Sequence, residues 1–232
     1  MIVQTVDIGN TLVKVGSFEE SVLKNVSIFG TVEEAILTLN KNAKKTIISS
    51  VREINRAVIK GDLFFLTPDT PLPFSVNYTT PITLGNDRRA LAAGAIKLFP
   101  QKTVLVIDIG TCITYDLITN KHEYLGGSIS PGVSLRYKSM YSFTDKLPLL
   151  QPSSETVDLC GDSTTSCMHS GVMNGLLFEI EETIVAYRKK YPNIQIILTG
   201  GDSIYFEKQL KATIFAAPNL IHEGLCHILN SL

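Results

Sequence analysis

Three aspartates in this chain stand where a carboxylate could do chemistry. Asp7 lies in the opening stretch VQTVDIGNTLVKVG, and Asp108 lies in VLVIDIGTCITYDL, each at the end of an apolar run and just before Ile-Gly. A strand that ends in a carboxylate beside a glycine-containing turn sets negative charge next to free backbone N–H groups. Such a corner can hold phosphate oxygens on its N–H groups and a metal ion, or the ion's waters, on its carboxylate. One copy would read equally well as a hairpin with a capping aspartate; two copies in matched positions point to a nucleotide–metal complex. The third is Asp87, in LGNDRRALAAGAIKLF. A carboxylate within about 3 Å of an alcohol can accept its proton, typically worth about 10²–10⁴-fold in rate. The plainer alternative for Asp87 is a helix N-cap beside a surface Arg88.

Other phosphate and hydrolase signatures are missing. There is no GxxxxGK[ST], no strand-linked GxGxxG and no GxSxG in the sequence, so P-loop, Rossmann and nucleophile-elbow chemistry lack their residues. The histidines are scattered, and His169, inside a helical pattern, reads as a packing or surface residue. The cysteines Cys112, Cys160, Cys167 and Cys226 show no CxxC spacing; they read as small buried apolar residues of a chain kept in a reducing compartment.

The elements that must carry these residues repeat. MIVQTVDI and TLVKVGSF flank a Gly9-Asn10 turn, as a hairpin does, and VLKNVSIF gives a third strand. Thr31 with Glu34 forms a capping box before a helical run of Val32, Ala35, Ile36 and Leu39. KTIISSV is a buried strand, REINRAVIK a short helix ended by Gly61, and the proline-rich TPDTPLPFSVNYTTP an irregular or edge segment. A helix then starts near Asn86 or Asp87. The second half gives three strands (TVLVIDIG, CITYDLIT, EYLGGSIS), then a stretch from Val133 to Ser154 that fits no element. After it come a long helix from about Thr165 to Lys190, the strand NIQIILTGG, the helix DSIYFEKQL, the strand TIFAAPNL and a closing helix, EGLCHILNSL. The expectation is an α/β protein of two duplicated lobes, 1–101 and 102–232, each of β-β-β-α-β-α order, with a cleft between them.

Composition narrows the function classes. The 232 residues are 44% hydrophobic and 19% charged with a formal net charge of −1, so a packed core is expected and disorder is not. That balance offers no electrostatic footprint for nucleic acid or an anionic membrane. No apolar run is long enough to span a bilayer and no secretory leader pattern is visible, so a cytoplasmic protein is expected.

Taken in series, DIGNT at the start, GNDR at Gly85–Arg88, DIGT at Asp108–Thr111, GGSISPG, GDST at Gly161–Thr164 and TGGD at Thr199–Asp202 resemble type III pantothenate kinase. The resemblance covers most of the chain, and six motifs in order are specific where any one is weak. It implies the actin-like ATPase and sugar-kinase superfamily with ribonuclease H-like lobes. It also implies transfer of the ATP γ-phosphoryl group to the terminal hydroxyl of pantothenate, the first step of coenzyme A synthesis. By resemblance, Asp7, Ile8, Gly9, Asn10, Thr11, Leu12, Val13 and Lys14 form the ATP phosphate corner, with Asp7 orienting Mg²⁺ through water. Thr111 is a further ATP contact, and Asp108 is the ligand of a monovalent cation, K⁺ or NH₄⁺. Asp87 is the base. Tyr78, Gly85, Asn86, Asp87, Arg88 and Thr164 meet the acceptor. Asn86 stands where family members usually carry alanine, and Cys112 where a smaller or hydroxylated residue is usual. Adenine would lie on the bare backbone of Gly200 and Gly201.

Gly171 and Gly175, four apart on the long helix, cost it roughly 1 kcal/mol each, which close helix packing could offset. The family forms a homodimer through its second lobes, and packing within one subunit is the alternative. Two other functions stay open: an actin-like kinase for another small acceptor, and a non-catalytic regulatory accessory factor. The retained GNDR and GDST argue against an emptied acceptor site.

Overall fold

β1 (Ile2–Ile8) and β2 (Val13–Glu19) pair antiparallel, with Asp7 opposite Lys14 and Thr5 opposite Gly16. β3 (Val22–Phe29) continues the meander, α1 (Val32–Leu37) follows, and β4 (Lys45–Ser50) returns parallel to β1 with Ser49 beside Asp7. β5 (Leu63–Phe65) completes a five-stranded sheet in the order β3-β2-β1-β4-β5. This computed structural model describes residues 2–39, 42–54, 63–153 and 156–232; most of the short helix expected in REINRAVIK falls on 55–62, outside the described residues.

The two faces of this sheet differ because strand residues alternate in direction. Val6, Ile8, Val13, Val15 and Ile48 pack with Ala35 of α1 into one apolar cluster. The capping box that fixes the start of α1 is present: Thr31 Oγ1 accepts from Glu34 N, and the Glu34 carboxylate accepts from Thr31 N. Packed against the sheet are α2 (Asn86–Leu98) and α6 (Leu220–Ser231). These two helices cross closely where a side chain has no room. A Cβ at Gly94 would come within 2.5 Å of the Leu220 carbonyl oxygen, and one at Gly224 within 1.7 Å of that of Ala90.

The second half repeats the meander. β7 (Val104–Ile109), β8 (Cys112–Ile118) and β9 (Glu123–Pro131) are followed by α3 (Val133–Ser142), α4 (Thr164–His169), α5 (Gly175–Lys190), β10 (Gln195–Thr199) and β11 (Phe215–Ala216). With β6 (Ser75–Val76), the six-stranded sheet runs β11-β10-β7-β8-β9-β6. Read from β9, its first five strands follow the order of the first sheet, which is the topology of a duplicated unit. The extra strand β6 comes from the proline-rich connection and lies parallel to β9 at the sheet's edge.

Several expectations change. DSIYFEKQL is no helix: only Ser203–Tyr205 forms a 3-10 turn, and the strand in TIFAAPNL shrinks to β11. The unplaced stretch after Pro131 opens with α3. The long helix is interrupted at Ser170–Asn174 by a π-helical turn, which contains Gly171 and directly precedes Gly175; the helix's own backbone aside, no described residue comes within 4 Å of where either glycine's Cβ would be. Cys160 and Cys167 are exposed, so the buried reading holds for Cys226 and not for them.

The chain divides into two compact units, 1–102 with 116–126 and 219–232, and 103–115 with 127–218. The outer parts of β8 and β9, and α6, group with the first unit. No helix among the described residues is long and apolar enough to cross a membrane.

Candidate active site

In the first unit, β1 and β2 converge on the turn at 9–12, closed by a hydrogen bond from Gly9 N to Leu12 O (3.0 Å). Asn10, Thr11 and Leu12 are exposed, Ile8 and Val13 are buried, and Asp7 and Lys14 are half-buried on paired positions. Burial pushes the Asp7 carboxyl up to about 7; Lys14 pulls it down and the Asp87 carboxylate pushes it further up. The two acids therefore feel each other, and a divalent cation is the charge that would relieve both.

Asp87 enters from the first turn of α2. It is no N-cap: Gly85 holds that place without a side-chain bond, and the Asp87 Oδ1 accepts from Arg88 N at 2.8 Å. Gly85 makes room for this, since a Cβ there would lie 2.3 Å from Asp87 Oδ1. Burial raises the Asp87 pKa above the ordinary carboxylate value, against the lowering effect of that backbone bond and of the Arg88 charge. Asn86 turns toward the scaffold, its amide donating to Leu66 O at 2.9 Å.

Arg88 is not a surface residue. It is buried, and its Nε and Nη2 donate to Asp116 Oδ1 at 2.8 and 2.7 Å. Tyr124 donates to the same oxygen at 2.6 Å and lies under the Arg88 guanidinium, 5.9 Å from it. Tyr78 meets the edge of Tyr124, with ring centroids 6.1 Å apart, and packs on Gly126, whose Cβ would come within 3.1 Å of the Tyr78 ring. Gly126 has φ +86°, a further reason for glycine there. Asp116 and Tyr124 escaped the sequence reading because they sit inside strand patterns that periodicity explains as core.

Behind Asp7, His222 of α6 lies 2.8 Å from Thr5 through Nδ1, and its Nε2 is buried without a partner among the described residues, as is Ser49 Oγ. Gly16 allows the approach; a Cβ there would sit 2.6 Å from Thr5 Oγ1 and 2.9 Å from His222 Nδ1. Burial, with Lys14 nearby, lowers the His222 pKa to about 4.

In the second unit, β7 and β8 form the matching corner with a shorter turn, Gly110 N donating to Cys112 O at 3.0 Å. Asp108 is half-buried beside Thr199 of β10, and Thr111 is exposed. Gly200, at φ +95°, presses on this corner: a Cβ would lie 2.3 Å from Ile109 O and 2.5 Å from Asp108 Oδ1. Gly200 is thus used against protein, while the backbone at Gly201 stays open. Thr164 is the exposed first residue of α4; Ser163 is the cap, in a capping box with Ser166.

Comparison with known proteins gives the same family. The profile described as type III pantothenate kinase matches residues 4–186. A type III pantothenate kinase of Flavobacterium psychrophilum is 42% identical over 233 residues, covering 95% of this chain and 95% of its own. Among solved structures, a conserved protein of Campylobacter jejuni described as a Baf family transcriptional activator superposes with a TM-score of 0.66 at 22% identity, covering 98% of each chain. The polyphosphate/ATP-glucomannokinase of Arthrobacter sp. strain KM superposes at 0.53 with 13% identity, over 100% of this chain and 99% of its own. Those likenesses place the fold among actin-like ATPases and sugar kinases. Arrived at from two acidic corners, GNDR and the sheet order, and again from these relatives, the conclusion is that the chain belongs to the type III pantothenate kinase family.

Proposed function

We propose that this chain transfers the γ-phosphoryl group of ATP to the terminal hydroxyl of pantothenate, giving 4'-phosphopantothenate and ADP. The observation that carries the reading is Asp87: a half-buried carboxylate with a raised pKa, set by Gly85 at the head of α2 and next to a buried arginine. A carboxylate whose pKa is raised is a stronger base than an ordinary one. Asp87 takes the hydroxyl proton as the new O–P bond forms and the bond from the γ-phosphorus to the departing ADP oxygen breaks.

Residues 7–14 supply the backbone N–H groups and the Lys14 charge for the triphosphate, and Thr111 a further ATP contact. Asp7 would hold Mg²⁺ through water, and Asp108 a monovalent cation, K⁺ or NH₄⁺. Bound cations would offset the charge spread over the transferring oxygens. Tyr78, Gly85, Arg88 and Thr164 hold the acceptor. The protein works in the cytoplasm as a homodimer, without nucleic-acid or membrane partners, and its two duplicated lobes correspond to 1–101 and 102–232.

A coupled assay tests this. ADP release should require pantothenate together with K⁺ or NH₄⁺. Release indifferent to pantothenate would identify a kinase for another acceptor, and no nucleotide turnover under any condition would favour the regulatory reading.

A further inference from the structure

We propose that Asp116 and Tyr124 are positioning residues of the acceptor site, which hold Arg88 in one orientation beside the base and brace Tyr78; this rests on the pantothenate kinase reading. One oxygen, Asp116 Oδ1, accepts from Arg88 Nε, Arg88 Nη2 and Tyr124 Oη at 2.8, 2.7 and 2.6 Å. Asp116 and Tyr124 are both 0% exposed. Among the described residues none takes a hydrogen bond from Arg88 Nη1. The guanidinium is therefore anchored along one edge, and the opposite edge is what a ligand would meet.

Stability alone is a poor explanation for this cluster. An aspartate in the middle of β8, among Ile113, Tyr115, Leu117 and Ile118, sits where an apolar residue would pack with no charge to desolvate. Replacing a buried ion pair by well-packed apolar residues is often neutral or stabilising. What the pair gives that an apolar residue cannot is direction. An arginine side chain has four torsions to fix, and here a fork of two N–H groups on one carboxylate fixes its head. The next residue in the chain before Arg88 is Asp87, so the anchor for the arginine also steadies the turn that carries the base.

The same oxygen reaches the aromatic pair. Tyr124 is held at its hydroxyl by Asp116, lies 5.9 Å under the Arg88 head group, and presents its ring to Tyr78 at an interplanar angle of 62°. Tyr78 is closed from the other side by the bare backbone of Gly126. Two residues matched to the acceptor, Arg88 and Tyr78, thus derive their placement from one buried carboxylate distant from both in sequence.

The experiment is a double-mutant cycle on the full-length protein, because residues that act through one another are not additive. Tyr124→Phe keeps the ring and removes only its bond to Asp116. It should raise the KM for pantothenate about tenfold, as loss of a hydrogen bond to a charged group would. The KM for ATP should stay near that of the unaltered protein. In the Arg88→Ala background the same substitution should change the pantothenate KM less than about twofold. Asp116→Asn should act in the same direction and more strongly, and only the Tyr124 cycle is needed if that variant does not fold. Equal effects of Tyr124→Phe in both backgrounds, a parallel rise in the ATP KM, or no effect at all would each overturn the inference. Failure of the unaltered protein to phosphorylate pantothenate would instead bring down the kinase reading, and this inference with it.

Discussion

The two acidic corners share a motif and a register but differ in what surrounds them. Asp7 pairs with Ser49 on the parallel neighbour strand, Asp108 with Thr199 on its own. After that, Ser50 keeps a side chain, bonded to Arg52, whereas the second corner has Gly200. Gly30, after β3, meets only Glu34 at 3.7 Å; Gly132, after β9, is so close that a Cβ would lie 2.1 Å from Gly110 O. Two residues before the aspartate the first strand has Thr5, bonded to His222, and the second has buried Val106. The second corner is fixed by backbone packed on backbone. The first is looser, polar behind, and loaded with opposed charge. Duplication preserved the strand that presents each acid, and the neighbours then diverged.

The largest expected effect removes the Asp87 charge that bears on the first corner. Asp87→Asn should lower kcat about a thousandfold, within the range for a lost general base, while the KM for ATP changes little. The burden on Asp7 should fall at the same time, so the variant should be no less stable in thermal unfolding. Turnover near that of the unaltered protein would show that the first corner works without this base.

Next comes a test of the second corner's rigidity. Gly200→Ala forces a side chain into φ +95° and against Ile109 O and Asp108 Oδ1, all backbone or short side chain with no room to give. A loss of about 3 kcal/mol in unfolding free energy is expected from strain and overlap together. Gly132→Ala should behave alike, through overlap alone, since its φ of −75° suits any residue. If urea unfolding showed either variant within experimental error of the unaltered chain, the description of this corner as tightly packed would fail.

Much of this was legible beforehand, and the boundary is instructive. Asp7, Asp108 and their turns announce themselves because motif and strand pattern are local. The Thr31–Glu34 cap was readable for the same reason, as both partners lie within one helical turn. Asp116 was hidden in CITYDLI, where an apolar strand explains every other residue. His222 was hidden because its partner Thr5 stands at the other end of the chain. Asn86 reads as an acceptor contact from its place in GNDR, and its bond to Leu66 O, far off in sequence, is a further use that the motif does not show. DSIYFEKQL has helix-forming residues, yet Gly200 fixes the chain direction and Asp202 N is taken by Ile109 O, so only a 3-10 turn forms.

The polar backing of the first corner predicts an acid sensitivity that Val106 gives no reason to expect in the second. His222 has an ordinary pKa of about 6.5 when unfolded and about 4 when folded. Between those values the unfolded chain binds a proton that the folded one refuses, so stability is full above about 6.5 and declines as pH falls toward 4. Lys14 faces His222 from β2 and reinforces the shift, and Asp7 lies on the adjoining strand. From pH 7.5 to 5 the His222 contribution should fall by about 2 kcal/mol. It is opposed in the unaltered chain by Asp7, whose raised carboxyl binds its proton more tightly in the folded state, so the contribution is read as the difference from a variant without the imidazole. Urea unfolding at both pH values measures it, and His222→Gln, which does not titrate, should flatten that component of the slope. An unchanged slope in the variant would assign the acid sensitivity elsewhere.

The smallest effect is expected at Gly9, and it separates folding from binding. A Cβ there meets only Leu12 O, at 3.2 Å, and the turn at 9–12, two residues longer than its counterpart at 110–111, can give by a few tenths of an ångström. Gly9→Ala should therefore cost less than about 1 kcal/mol of stability, well under the loss at Gly200. Its effect should appear instead in nucleotide binding, because a methyl group beside the N–H groups that would cradle phosphate keeps the oxygens away. The KM for ATP should rise about fivefold with the pantothenate KM unchanged. A stability loss matching that of Gly200→Ala would mean the two corners are equally rigid, whereas loss of ATP binding without loss of stability assigns the glycine at the first corner to the ligand and the glycine at the second to the fold.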